Sequence, residues 1–309
     1  MQGYSTPFSL PRAHTLLGRA GLALIGSVAL CDIITIKICG SNANRVMSKG
    51  VHFIYPIFCV LFLLLIAPAL SRSWCPALII GLPPPRPFPV RYVLLALPML
   101  GFAIASVFVV YVPLSYIAPR FVEWRLSDPV RLISGTSAVA NVLSFLCIVF
   151  VGPVFEEFVF RGLLLTRWTI KWNVRRAIFL SSVLFGLLHT DVVGAFFFGY
   201  ALCVLYIETQ SLFVPIGVHA TYNGILWIVA GGGMLIADFD LQTETTISEL
   251  QSIWWVGLSA AIIFTPWAVA FVKNNIPKAS WRVPYLALQE DDMAEEVQGG
   301  QPAVALGQV

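Results

Sequence analysis

"GPVFEEFVFRGLL" (residues 152–164) sets two adjacent carboxylates, Glu156 and Glu157, and an arginine, Arg161, inside an apolar run. A charge at bilayer depth costs roughly 2.5–3.5 kcal/mol on insertion scales. Whether this run lies in a membrane therefore decides both the fold and the meaning of the three charges. The rest of the chain answers that question. Of its 309 residues, 58% are hydrophobic and 11% charged, whereas soluble domains carry about 25% charged residues. The mean hydropathy is +0.83. This is the composition of a polytopic membrane protein. The net charge of +3 is small and no basic run stands out, so nothing points to a nucleic-acid partner.

A membrane-spanning helix needs about 20 mostly apolar residues. Candidates lie near 16–39, 51–70, 92–117, 136–160, 176–190, 193–208, 212–235 and 252–272. The expected fold is all-α, a polytopic bundle of about eight transmembrane helices around an intramembrane polar site. The segments 176–190 and 193–208 are short and joined by "HTDVVG", which reads as a helical hairpin. Residues 1–91 are expected to hold two helices and the proline-rich link "GLPPPRPFPVR" (81–91), extended and semi-rigid. Residues 92–288 form the core, and 289–309 an acidic, then small and polar tail expected to be disordered. The first helix lacks a convincing cleavage site and reads as retained. The six cysteines show no CxxC spacing and support neither a disulfide framework nor a cysteine metal site.

Positive charge sets orientation. The connection with Arg167, Lys171, Arg175 and Arg176 is the most basic, whereas 236–250 holds Asp238, Asp240, Glu244 and Glu249 without Lys or Arg. The basic loop and both termini are accordingly expected in the cytoplasm, and 236–250 outside.

Three polar clusters interrupt the core. In "EEFVFR" (156–161), Glu157 and Arg161 are four apart and can pair on one helix face. Glu156 points about 100° away. One carboxylate can be neutralised while the other serves chemistry. In "FGLLH" (185–189), His189 ends a short helix. In "HATYN" (219–223), His219 and Asn223 lie on one helix face. Each cluster alone has a bland explanation: solvated charges at a helix end, an interfacial histidine, a polar pair joining two helices. Depth makes them converge. Glu156 lies about 16 Å above Arg167, His189 about 20 Å above Arg176, and His219 and Asn223 about 10 and 16 Å from the start of their helix. Four polar groups from three helices share one layer.

These motifs, in this order, resemble the CAAX-protease and bacteriocin-processing family of intramembrane proteases, also called abortive-infection-like proteins. The family pattern is EExxxR, then FxxxH, then HxxxN or HxxxD. The resemblance covers roughly 140–230, including the lead-in "YIETQSLFVPIGVHATYN" (206–223). It implies peptide-bond hydrolysis within the membrane, on a membrane-associated peptide or protein. It further implies Glu156 as general base on a water that His189 helps to hold, His219 and Asn223 as donors to the oxyanion, and Glu157 and Arg161 as orienting residues. A bacterial plasma membrane is the expected location.

The residue types suit that chemistry independently. Amide hydrolysis needs an activated water, and a carboxylate within reach can take its proton. The oxyanion needs donors aimed at it. A second mechanism fits the same residues: Glu156, His189 and His219 could ligate zinc with a water in the fourth position. Without an HExxH motif that reading rests on residue type alone, and the metal-free reading is preferred. Two non-protease readings also stand: a non-catalytic immunity or scaffold protein of the same fold, and a proton-coupled transporter. No repeated half with broken helices supports transport.

Overall fold

The computed structural model describes residues 90–126, 138–237 and 246–288, with 79–83 and short pieces at 18–19, 22–23, 59–62 and 64–65. The spans expected near 16–39 and 51–70, most of the proline-rich link and the tail 289–309 thus lie largely or wholly outside the described residues. Among the described residues there are helices and one isolated bridge, and no strand.

Helix α1 (Val90–Leu94) runs into α2 (Ala96–Ile117), and α3 (Pro119–Leu126) follows. A helical run from 138 to 171 comes next. It comprises α4 (Ala138–Leu146), a π-helical segment Cys147–Val151, α5 (Gly152–Glu157), a second π-helical segment Phe158–Leu165, and α6 (Thr166–Lys171). Then follow α7 (Val174–Leu187), α8 (Val192–Thr209), α9 (Phe213–Ala237), α10 (Ile247–Ser252) and α11 (Trp254–Asn274). Asn173 caps α7 and Asp191 caps α8 through their side chains, accepting from Arg176 N–H and Gly194 N–H. The expected helical hairpin is α7–α8.

Three helices among the described residues are long and apolar enough to cross a membrane: Val90–Ile117, Val192–Thr209 and Trp254–Asn274. Their apolar side chains point outward as well as inward, which suits a lipid surround. Ile262 and Ile263 of α11 are 66% and 63% exposed. Inside, Leu163, Leu165, Ile178, Leu202, Leu205 and Val214 form part of one buried cluster from the second π segment, α7, α8 and α9.

Close approach of α2 and α11 depends on two glycines. A Cβ on Gly101 would lie 2.3 Å from the Phe264 ring, and one on Gly257 would lie 1.9 Å from Cβ of Phe108. Each helix thus sends a phenyl ring into the gap the other's glycine leaves, the small-residue packing common between membrane helices.

Connections meet at two ends. At one, Arg175 Nε donates to the Pro277 carbonyl at 2.8 Å, and Gln210 Nε2 to that of Arg282 at 2.9 Å. At the other, Gln251 of α10 donates to Ser115 Oγ of α2 at 2.9 Å. The start of the proline-rich link is stitched to the α8–α9 turn rather than standing apart. Leu82 N–H bonds the Gln210 carbonyl and Leu212 N–H that of Ile80, both at 2.8 Å. Gly81 sits there at φ +74°, and a Cβ would lie 2.2 Å from the Gln210 oxygen.

Candidate active site

The motif helix departs from α-helical register where Pro153 enters it. Gly152 N–H bonds the carbonyl of Cys147, five residues back. In that register the next donor belongs to Pro153, which has no N–H. The Ile148 carbonyl is left over, and Asn223 Nδ2 of α9 donates to it at 2.9 Å. A proline in one helix and an amide in another thus lock α9 to the motif helix. Pi-helical segments recur at functional sites, and here two of them flank the pair Glu156–Glu157.

Glu157 and Arg161 are fully buried. Arg161 Nη1 donates to Glu157 Oε1 at 3.0 Å, and its Nη2 to the Gly199 carbonyl of α8 at 3.2 Å. The guanidinium also lies over the Phe185 ring, 4.7 Å from its centre. The expected i, i+4 pair is present. It has a third member: His219 Nδ1 lies 2.7 Å from the same Glu157 oxygen. A carboxylate paired with a guanidinium accepts, so the Nδ1 hydrogen of His219 belongs to this bond.

His189 follows the same logic. Its Nδ1 lies 2.7 Å from the Phe185 carbonyl, which only accepts, so Nδ1 carries the hydrogen. Its ring stacks on Phe185 with centroids 4.4 Å apart. Phe198 meets the His219 ring edge-on at 5.0 Å. Both imidazoles therefore have their Nδ1 occupied and their orientation set by aromatic packing. Each turns Nε2 toward the other carboxylate. Glu156 Oε2 is 3.9 Å from His189 Nε2 and 4.0 Å from His219 Nε2.

The structure thus brings Glu156, Glu157, Arg161, His189 and His219 into one cluster, with Asn223 beside it on α9. Exposure is graded. His219 is 4% exposed, Glu156 22% and His189 39%, so the cluster opens on the Glu156–His189 side. Two parts could not be read from residue types, the carbonyls of Ile148 and Gly199, because any residue supplies a backbone acceptor.

The gaps at Glu156 indicate what fits there. Two hydrogen bonds of about 2.8 Å meeting near a right angle span about 4 Å, so one water suits either gap. Two ligands on a tetrahedral zinc, with bonds of about 2.0–2.1 Å, sit about 3.3 Å apart. The observed separations are wider. Among the described residues, no group of three or more His, Cys, Asp or Glu side chains is arranged to hold a metal ion.

A helical membrane protein with a polar cluster of two carboxylates, an arginine and two histidines on adjoining helices is the class that fold and site define. Residues 138–225 match the family model described as type II CAAX prenyl endopeptidase Rce1-like. A Bacillus subtilis protein named "Putative membrane peptidase YdiL" is 33% identical over 82 residues, 26% of this chain and 34% of that protein. The chain thus matches about a third of that relative's length. No solved structure matches. Over the matched segment the chain is similar to the CAAX-protease family that its motifs resemble. Helices α1–α3, α10 and α11 lie outside that segment.

Proposed function

We propose that the chain is an intramembrane endopeptidase of CAAX-protease type, cleaving a peptide bond in a membrane-associated peptide or protein with a glutamate-activated water. The observation that carries this reading is Glu156 Oε2 facing two Nδ1-protonated imidazoles at 3.9 and 4.0 Å. A water between Glu156 and His189 gives one hydrogen to the carboxylate and the other to Nε2. Its lone pair is then free for the scissile carbonyl.

As the carbon–oxygen bond forms, the water's proton passes to Glu156, which returns it to the amide nitrogen as the carbon–nitrogen bond breaks. The oxyanion is met by His219 Nε2–H, in the doubly protonated ring, and by the second amide hydrogen of Asn223. Glu157 and Arg161 hold His219 in place. The basic connection before α7 and both termini face the cytoplasm of a bacterial plasma membrane in this reading.

The test is a survey of new peptide termini in membranes carrying the wild type or Glu156→Gln. The reading expects termini that depend on Glu156. Identical termini in both would sink it.

A further inference from the structure

The turn between α7 and α8 carries His189, and three successive residues of it are held by side chains from α2 and α3. Arg125 donates Nη2 to the His189 carbonyl. Tyr111 donates its hydroxyl to the Thr190 carbonyl at 2.6 Å. Ser106 donates to the Asp191 carboxylate, 2.7 and 2.8 Å from its two oxygens. Asp191 in turn accepts from Gly194 N–H at 3.0 Å, capping α8. Gly194 is required here, since a Cβ would lie 1.8 Å from Asp191 Oδ2 and 2.7 Å from Ser106 Oγ. Tyr111 and Ser106 are each 4% exposed.

From this geometry we propose that Ser106, Tyr111 and Arg125 are positioning residues for His189. The turn has left helical geometry, so the carbonyls of His189 and Thr190 need donors from elsewhere. Two buried or partly buried side chains supply them, while the Ser106–Asp191 bond fixes where α8 begins. The His189 ring is bound to its own helix through the Phe185 carbonyl. Holding the turn therefore holds Nε2 at the distance from Glu156 that admits one water. All three donors lie outside the segment shared with the CAAX-protease family. The inference rests on the proposed role of His189.

The gentlest probe is Tyr111→Phe, which deletes one oxygen. With only four histidines in the chain, ring ¹⁵N spectra of the full-length protein in detergent resolve them. The proposal expects Tyr111→Phe to shift the His189 ring signals and leave those of His219 unchanged, with the fold intact and the melting temperature lowered only by the loss of one hydrogen bond. It also expects Glu156-dependent cleavage to slow by about tenfold, since misplacing a catalytic group by 1 Å can cost more than that. In a His189→Ala background, Tyr111→Phe should cost nothing further, because it acts through that ring. Ser106→Ala should behave alike, with Ser106→Thr restoring the wild-type spectrum. Unmoved His189 signals, or full additivity with His189→Ala, would overturn the clamp even where cleavage still depends on Glu156. Cleavage that ignores Glu156 would instead sink the protease reading, and the spectra would still decide the clamp.

Discussion

Asn223 of α9 donates its amide to the carbonyl of Ile148, the acceptor that Pro153 leaves without a donor in its own helix. The two residues act as one device. Stranding a buried acceptor costs about 1–3 kcal/mol, so Asn223→Ala should destabilise the protein by that amount. Pro153→Ala supplies an N–H in the register that Ile148 needs. Thermal unfolding of the double variant Asn223→Ala, Pro153→Ala should recover part of the loss. No recovery would mean that Asn223 stabilises the fold by another route.

Arg161 has three engagements that no other residue type reproduces together: Glu157, the Gly199 carbonyl and the Phe185 ring. Removing one partner of a buried ion pair costs about 3–5 kcal/mol because it strands the other charge. Arg161→Ala should lower thermal stability by about that amount along with activity. Arg161→Lys, without the planar fork, should rescue little. Normal stability with selective loss of turnover would make Arg161 a direct participant.

Glu157 fixes His219 through Nδ1. Partners of this kind typically cost about 10–100-fold when replaced at a metal site, and the orienting logic carries over to a proton-transfer site. Glu157→Gln replaces the charged acceptor that holds the Nδ1 hydrogen of His219, and so weakens its support of that ring as an oxyanion donor. Cleavage should fall by about tenfold or more, with Glu156 and His189 unaltered. An unchanged rate would show that the bond between His219 and Glu157 is irrelevant to turnover.

The i, i+4 spacing of Glu157 and Arg161 was legible because spacing alone puts them on one face. So was the meeting of Glu156, His189 and His219, because three helices of known rise carry them to one depth. The partner of His219 was not. Glu156 and Glu157 are neighbours, and which one faces α9 depends on π-helical register. That register follows from a hydrogen Pro153 lacks and an amide Asn223 supplies from a distant helix. The hold on the 189–191 turn was equally hidden, since two of its three bonds end on backbone carbonyls. Nor did proline content reveal that residues 80–82 pair with the α8–α9 turn.

Charge asymmetry predicts which end faces the cytoplasm. Ser248 on α10 and Lys278 beyond α11 are both exposed at opposite ends of α11. In a cysteine-free background, an impermeant thiol reagent applied outside intact cells should label Ser248→Cys and spare Lys278→Cys. The reverse pattern would invert the topology.

In the proposed mechanism Glu156 activates the attacking water without a metal. The direct measurement is the cleavage rate of purified protein in liposomes, on a substrate identified by its Glu156-dependent termini, before and after metal depletion. Glu156→Gln serves as reference. Activity should persist in metal-depleted wild type and fall by orders of magnitude in Glu156→Gln, which should still fold because a neutral amide is cheaper to bury than a carboxylate. Near-stoichiometric zinc, lost together with activity in chelator and restored with it, would contradict the claim.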